Sequence, residues 1–104
     1  MNGRRQPDPE NLNQPDRPSI VNVTEQGNVY VASAKVRDNG WLWLKYWDGG
    51  RAKIPPHRVL AVERVETEHY GEPDERTGMK SRRIVDEDWR ERARVMSGEL
   101  EDAE

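Results

Sequence analysis

The sequence predicts a mainly β domain, a small antiparallel barrel of about five strands with an extended N-terminal arm and one short C-terminal helix. Three observations support this fold class. Apolar and polar residues alternate between positions 20 and 66, which is the period of half-buried strands. Two turns with glycine, Asp38-Asn39-Gly40 and Asp48-Gly49-Gly50, divide that region. Near the C-terminus, apolar residues recur every three or four positions, as in an amphipathic helix.

The composition allows one domain with a modest core. The chain has 104 residues, of which 33% are hydrophobic and 36% charged, and its net charge is −3. There is no Cys, which excludes a disulfide framework, a thiolate zinc site and a cysteine nucleophile. No apolar run approaches the roughly 18 residues of a membrane span. We expect a cytoplasmic or virion protein that is made without a secretory signal peptide.

The first 19 residues are predicted to form an extended, proline-rich arm. Pro7, Pro9, Pro15 and Pro18 stand among Asn, Gln, Asp and Arg, a composition that favours polyproline II backbone and offers little to bury. We expect this arm to be disordered unless a partner holds it.

Residues 20–68 are predicted to form the barrel. Its strands are expected at 20–24, 28–37, 41–47, 51–54 and 59–66. The second strand should place Tyr30, Ala32, Ala34 and Val36 on one face, with Val29, Val31, Ser33 and Lys35 on the other. A hairpin is expected at 38–40, because Asn and Gly tolerate the left-handed backbone conformation. Pro55–Arg58 should form a break between the last two strands.

The strand at 41–47 is predicted to be apolar on both faces. Leu42, Leu44 and Tyr46 alternate along it with Trp41, Trp43, Lys45 and Trp47. A barrel of this size buries one face fully, and we assign that face to the leucines. The tryptophan face must then be covered by the arm, by the C-terminal helix or by another chain.

Beyond the barrel, the sequence predicts a linker at 69–85, a helix at 86–98 and an acidic tail at 99–104. Asp86 is placed as the N-cap of the helix and Gly98 as its stop signal. The apolar stripe of the helix consists of Val85, Trp89, Met96 and Leu100. A helix of about three turns is too short to be stable alone, so it must dock. It could dock on its own barrel or on a neighbour, and we expect the neighbour.

The order of a strand, two hairpins, a proline-led break and a closing strand resembles an SH3-like small barrel. The stretch from Gly50 through Ile54-Pro55 to Val59 looks like the place where SH3 domains form a short 3₁₀ turn. This resemblance implies a fold and not a function. The acidic and ALYDY-like segments of signalling SH3 domains have no counterpart, so binding of proline-rich peptides is not inferred.

A second resemblance covers residues 41–62. This segment contains Asp-Gly, then Ile-Pro-x-His-Arg-Val and an apolar strand. It is similar to the last part of the sequences of a small archaeal family that recognises the cyclic-phosphate ends of RNA. The resemblance implies that His57 and Arg58 face phosphate, although the upstream His-Arg-Gly segment of that family has no counterpart. The local sequence favours another interpretation, in which His57 caps the turn or packs on an aromatic ring and Arg58 is solvated.

Catalysis has no positive support in the sequence. His57 and His69 flank the last strand, and there is no Gly-x-Ser-x-Gly motif to present a nucleophilic serine. Gly49-Gly50 is not followed by the Lys-Ser/Thr pair and helix of a phosphate-binding loop. The carboxylates alternate along a strand or lie in the acidic tail, where they are solvated. We therefore predict a non-enzymatic protein without a metal or cofactor.

The first functional hypothesis is a structural or assembly protein, for example a minor virion component such as a capsid-binding or head-to-tail connector subunit. Polar arms at both ends of a small barrel, and a helix that needs a docking surface, are typical of subunits that join their neighbours. The residues predicted to bind other protein subunits are Trp41, Trp43, Trp47, Arg58, Trp89 and Met96.

The alternative hypothesis is a small barrel that binds RNA or another single-stranded nucleic acid. Exposed aromatic rings would stack on bases while nearby cations contact phosphates. The candidate residues are Trp41, Trp43 and Trp47 for the bases, and Arg37, Lys45, Arg51 and Lys53 for the phosphates. Four nearby carboxylates, those of Asp38, Asp48, Glu63 and Glu66, count against it. Aromatic residues with Arg are equally typical of a protein interface.

Overall fold

The computed structural model describes residues 6–97, so the acidic tail and Leu100 lie outside the described residues. Within that range the fold is mainly β, as predicted, with one C-terminal helix. The strands are β1 Ser19–Val23, β2 Gly27–Val31, β3 Ser33–Val36, β4 Leu42–Lys45, β5 Arg51–Ile54, β6 Val59–Arg64, β7 Thr67–Tyr70 and β8 Ser81–Ile84. A 3₁₀ turn spans Pro56–Arg58, and helix α1 spans Glu87–Ser97.

The strands form three antiparallel sheets. Sheet A has the order β2-β1-β6, sheet B the order β3-β4-β5, and sheet C is the β7-β8 hairpin. The antiparallel arrangement is confirmed, but sheets A and B are not closed into the predicted barrel, and the described residues form eight strands instead of about five. Among the described residues no strand pair joins the two sheets. Side-chain packing, the covalent chain and a hydrogen bond from Arg64 Nη1 of β6 to the Ala34 carbonyl of β3 hold them together instead.

The hairpin expected at 38–40 is confirmed. It joins β3 to β4, whose register pairs Val36 with Leu42. Gly40 has a φ of 88°, a conformation that residues with a Cβ rarely adopt. A Cβ at this position would also lie 3.3 Å from Cγ of Pro56, so the turn packs closely on the 3₁₀ turn.

The single long strand expected at 28–37 is divided at Ala32, and this corrects the predicted faces. β2 belongs to sheet A and β3 to sheet B. Val31 and Ala34 both point into the same core, although they are three residues apart. Because side chains alternate along a strand, this spacing requires a change of face at Ala32. Small residues at 32–34 allow the chain to bend there, and residues 30–34 are all buried.

The first core lies between sheets A and B. Its fully buried side chains are Val21, Val23, Val31, Ala34, Leu42, Leu44 and Ile54. The leucines of β4 face this core, as the alternation predicted. Every member comes from the stretch 21–54, so consecutive strands build this core.

The second core lies on the other side of β1 and β2. Its buried side chains are Leu12, Tyr30, Ala32, Trp47, Ile84 and Ala93, with Ile20, Val65 and Trp89 packed against them. The segment expected as a linker at 69–85 supplies part of it, because it contains most of the β7-β8 hairpin. Helix α1 packs here on its own chain, through Ala93 and the half-buried Trp89. The expected docking of this helix on a neighbour is therefore not needed to explain its burial.

Residues 6–18, here called the N-terminal strap, pack against the domain instead of extending as an arm. Hydrogen bonds along β8 hold the strap, from Leu12 N–H to Arg82 O and from Ile84 N–H to Pro9 O. At its start, Gln6 Nε2 donates to the carbonyl of Ser97 at the end of α1. The Glu10 carboxylate contacts Arg90 and Arg94 of the helix. The composition concealed this packing, since Leu12 packs in the second core, Pro7, Pro9 and Pro18 are buried, and Asp16 is buried although it is charged.

Within residues 6–97, no helix has the length and apolar character required to cross a membrane.

Candidate functional site

The outer face of sheet B, here called the basic face, concentrates cations around the exposed Trp43. Alternate residues of β3, β4 and β5 point away from the first core, since their neighbours Ala34, Leu44 and Ile54 are buried in it. The strand register places the outward residues in two rows. These rows are Lys35–Trp43–Lys53 and Ser33–Lys45–Arg51.

Trp43 is the centre of the basic face. Its side chain is 41% exposed, and it lies on the middle strand between Lys35 and Lys53. The guanidinium of Arg37 is 4.4 Å from the centroid of the Trp43 ring, and Lys53 Nζ is 4.6 Å from it. Both distances are those of cation–π contacts. The ring therefore contacts two cations, one on β5 and one directly after the end of β3.

A cleft of about 690 Å³ runs over the basic face. Its cationic lining residues are Lys35, Arg37, Lys45, Arg51 and Lys53, and its acidic lining residue is Asp16. Three of the four lysines of the chain thus line one cleft. In a chain whose net charge is −3, this surface has a strong local excess of positive charge.

The strap forms one wall of the cleft through Pro15 and Asp16. The Asp16 carboxylate is 2% exposed, and its Oδ1 is 2.8 Å from Lys45 Nζ. The other oxygen, Oδ2, is buried and has no hydrogen-bonding partner among the described residues. One cation of the cleft is thus already paired within the protein.

Arg82 fixes the backbone of that wall. Its Nη2 donates to the carbonyls of Asn13, Gln14 and Asp16, at 2.7, 3.1 and 2.6 Å. Arg82 is 7% exposed. Burial lowers the pKa of its guanidinium, and nearby Arg17 adds to this while Asp16 opposes it. A buried charge with three backbone acceptors makes the wall costly to move.

The structure separates the three tryptophans that were predicted to share one exposed face. Trp41 and Trp43 are 38% and 41% exposed. Trp47 is 1% exposed, so its placement on the exposed face is wrong. β4 ends at Lys45, and the alternation that placed Trp47 beside Trp43 ends with it. The Trp47 ring packs in the second core, 5.3 Å from the centroid of Tyr30.

Two predicted contact residues lie near the helix, far from Trp43 in the sequence. Trp89 is half-buried, its ring 4.7 Å from that of Tyr30, and its carbonyl accepts a hydrogen bond from the Tyr30 hydroxyl. Met96 is 48% exposed and does not lie on the buried stripe, which runs instead through Ala93 and Ser97. Both residues border a shallow cleft of about 470 Å³ that Val95 and Arg92 also line.

Arg58 and His57 occupy the 3₁₀ turn, outside the basic cleft. Arg58 Nη2 donates to the carbonyl of Thr24 at 2.9 Å, and the Thr24 N–H donates to the Arg58 carbonyl. Arg58 thus joins the 3₁₀ turn to the end of β1 and is half-buried, whereas the sequence predicted a solvated side chain. His57 is exposed.

Sequence reasoning missed Lys35 and Asp16 as members of the cleft. Lys35 was predicted to share a face with Val29 and Val31, and its outward position depends on the change of face at Ala32 and on the hairpin register that pairs it with Trp43. Asp16 is 29 residues from Lys45 and carries no local signal. The four carboxylates that seemed to oppose a basic surface, those of Asp38, Asp48, Glu63 and Glu66, do not line the cleft.

The chain matches no known protein-family model, and no curated protein or solved structure resembles it at a significant level. The resemblances to SH3-like barrels and to the archaeal RNA-end family gain no support from these comparisons. Within residues 6–97, no three His, Asp or Glu side chains lie close enough together to hold a metal ion.

Proposed function

We propose that the protein binds single-stranded nucleic acid on the basic face of sheet B. The observation that carries this proposal is the row Lys35–Trp43–Lys53, an exposed aromatic ring with a cation on each side. Proteins that bind single strands combine a positive groove for the backbone with aromatic rings on which bases stack. Both components occur here on one three-stranded sheet.

The cations favour a phosphate backbone over an uncharged ligand. The cleft is lined by five Lys and Arg side chains and by a single carboxylate, which is buried. Neutralising phosphates releases the counterions that surround a nucleic acid, which is a major source of binding free energy. The net charge of the chain is negative, so the attraction is confined to this face.

The exposed ring favours a single strand over a duplex. Trp43 is 41% exposed and is the aromatic residue that lines the cleft. Successive nucleotides of a duplex strand rise by about 3.4 Å, and their base faces are covered by neighbouring bases. A base that stacks on Trp43 must therefore be separated from its neighbour in the strand.

In the free protein, Arg37 and Lys53 already lie over the Trp43 ring. A base that stacks on Trp43 takes the place of one of them, and the displaced cation contacts the adjacent phosphate. The aromatic ring thus serves first to hold the cations near the cleft and then to hold the base.

The test is the affinity for labelled single-stranded oligonucleotides, measured by fluorescence anisotropy over a range of salt concentrations. Four available cations predict a slope of log affinity against log salt near −3, since each phosphate of a single strand contributes about −0.7. Lys35→Gln and Lys53→Gln should each make the slope shallower by about 0.7. Lys80→Gln is the matched control, because Lys80 is exposed and does not line the cleft.

Trp43→Ala should weaken binding by about 1–3 kcal/mol, the range for loss of one stacked base. A duplex of the same sequence should compete poorly. Absence of binding at low salt, or binding that the lysine variants leave unchanged, would show that the face has another role.

Assembly with other protein subunits is the second candidate function. It is favoured by adjacent exposed apolar residues on α1, Val95 at 38% and Met96 at 48%, beside the shallow cleft at Trp89. Residues 6–18 and α1 pack on their own chain, so the described part of the chain does not supply the free arms on which this hypothesis depended. Light scattering tests it, since Met96→Glu should abolish self-association if α1 forms an interface.

A further inference from the structure

We infer that Asp16 acts as an internal substitute for a phosphate, which holds Lys45 and keeps nucleic acid out of that corner of the cleft; this rests on the proposed function. Asp16 would then determine where the strand lies on the basic face. Of the five cations, four would remain for the ligand.

An ion pair distinguishes Lys45 from the other cations of the cleft in the described part of the chain. Its side chain is 18% exposed; Lys35 is also half-buried but has no such carboxylate partner there, and Arg37, Arg51 and Lys53 are exposed. Its Nζ lies 2.8 Å from the Asp16 carboxylate, a normal distance for a charge-assisted hydrogen bond. The ammonium has two further N–H donors, but a phosphate that accepts from them must lie beside the Asp16 carboxylate, and the repulsion between the two negative charges offsets the attraction to Lys45.

The wall that carries Asp16 cannot easily withdraw. Arg82 donates hydrogen bonds to the carbonyl of Asp16 and to the carbonyls of Asn13 and Gln14. On the other side, the Arg17 N–H donates to Oγ of Ser33 at the start of β3. Asp16 is therefore held from both sides in the position that pairs with Lys45.

The second oxygen of the carboxylate makes the corner unfavourable for phosphate. Oδ2 is buried without a hydrogen-bonding partner among the described residues, so part of the negative charge of Asp16 is uncompensated. A phosphate brought to Ser33 and Lys45 would lie near this charge, with little water to screen it. The strand is thus directed toward Trp43 and its flanking cations.

The test compares the salt dependence of oligonucleotide binding by the full-length wild type and Asp16→Asn. Asparagine keeps the shape of the side chain but frees Lys45 for the ligand. We expect affinity at low salt to rise several-fold and the slope to become steeper by about 0.7, the contribution of one additional phosphate. Adding Lys45→Gln to Asp16→Asn should remove this gain.

A second measurement uses the unaltered protein. The chain has only four lysines, so their Nζ signals can be followed individually by NMR while an oligonucleotide is added. Lys35 and Lys53 should shift, and Lys45 should not. Lys80, outside the cleft, is the reference that reports non-specific effects.

The outcomes separate the two proposals. A slope that Asp16→Asn leaves unchanged, a weaker affinity of this variant, or a shift of Lys45 equal to those of Lys35 and Lys53 would each overturn the role of Asp16. Binding by the wild type would in those cases still support the proposed function. No binding by any variant at low salt would overturn both.

Discussion

The two cores of the molecule differ in how the chain assembles them and in their side chains, since the buried residues of the first are aliphatic and those of the second include Tyr30 and Trp47. The first core takes its buried residues from 21–54, in strands that follow one another. The second brings together Leu12, Trp47 and Ala93, which are separated by more than thirty residues each. The first core therefore depends on local alternation, while the second depends on the ends of the chain returning to the sheet.

This difference has a consequence for stability. Ordering distant segments costs loop-closure entropy before their contacts form, although this cost grows slowly with loop length. The strap, β8 and α1 each supply one part of the second core. Loss of a single large side chain from the second core should therefore weaken the packing of the strap, β8 and α1. Loss of a side chain from the first core should instead weaken the packing between sheets A and B.

The largest effect is expected for Trp47→Ala in the second core. Replacement of a buried aromatic residue by Ala typically costs about 3–5 kcal/mol. Urea unfolding followed by circular dichroism measures this cost. Trp47→Phe should cost less because the Phe ring fills more of the volume, while both variants remove an indole N–H that has no partner among the described residues. If both variants were as stable as the wild type, the second core would not contribute to folding.

Leu44→Ala tests the first core and should cost about 2–5 kcal/mol. The adjacent Trp43→Ala is the matched control, because Trp43 is 41% exposed and Leu44 only 4%. We expect Trp43→Ala to change the thermal midpoint much less than Leu44→Ala does. The reverse order would exchange the assigned inner and outer faces of β4.

A smaller effect concerns alkaline pH and Tyr30. Burial raises the pKa of the Tyr30 hydroxyl well above its usual range; Arg92 lowers it and Asp86 adds to the rise. The hydroxyl thus stays protonated to a higher pH in the folded chain than in the unfolded chain. The contribution of Tyr30 to the free energy of unfolding is complete below a pH of about 10, and it falls by about 1.4 kcal/mol for each pH unit above that value.

Tyr30→Phe should therefore be less stable than the wild type at neutral pH, by about 0.5–1.5 kcal/mol for the lost hydrogen bond to Trp89 O. The difference should shrink as the pH rises above about 10. Urea titrations at neutral and alkaline pH measure it. A difference that stayed constant with pH would show that Tyr30 is not the group responsible.

The sequence was informative where the structure is local. Alternation located β1, β4, β5 and β6 within one or two residues, and Asn39-Gly40 located the hairpin. The helix bounds were also close, because Asp86 and the apolar spacing define them. The hairpin of sheet C was missed because its strands are short and mostly polar, a pattern that resembles a linker.

The candidate site was predictable in part for the same reason. The outward positions of Trp43, Lys45 and Lys53 follow from alternation, and these residues were named as candidates. The burial of Trp47 was not predictable, because Trp47 lies beyond the end of β4, the strand that set the alternation. The presence of Asp16 in the cleft was not predictable, because it comes from the strap. Their positions depend on tertiary packing over long sequence separations.

The bend at Ala32 also limits how this chain can vary in length. Before the bend, odd-numbered residues such as Val31 enter the first core, and after it even-numbered residues such as Ala34 do so. Deletion of one residue here would rotate β3 by one position and direct Lys35 toward the core, with its cation lost from the cleft. Insertions and deletions should therefore be tolerated in the exposed loop at 71–80 but not at 32–34.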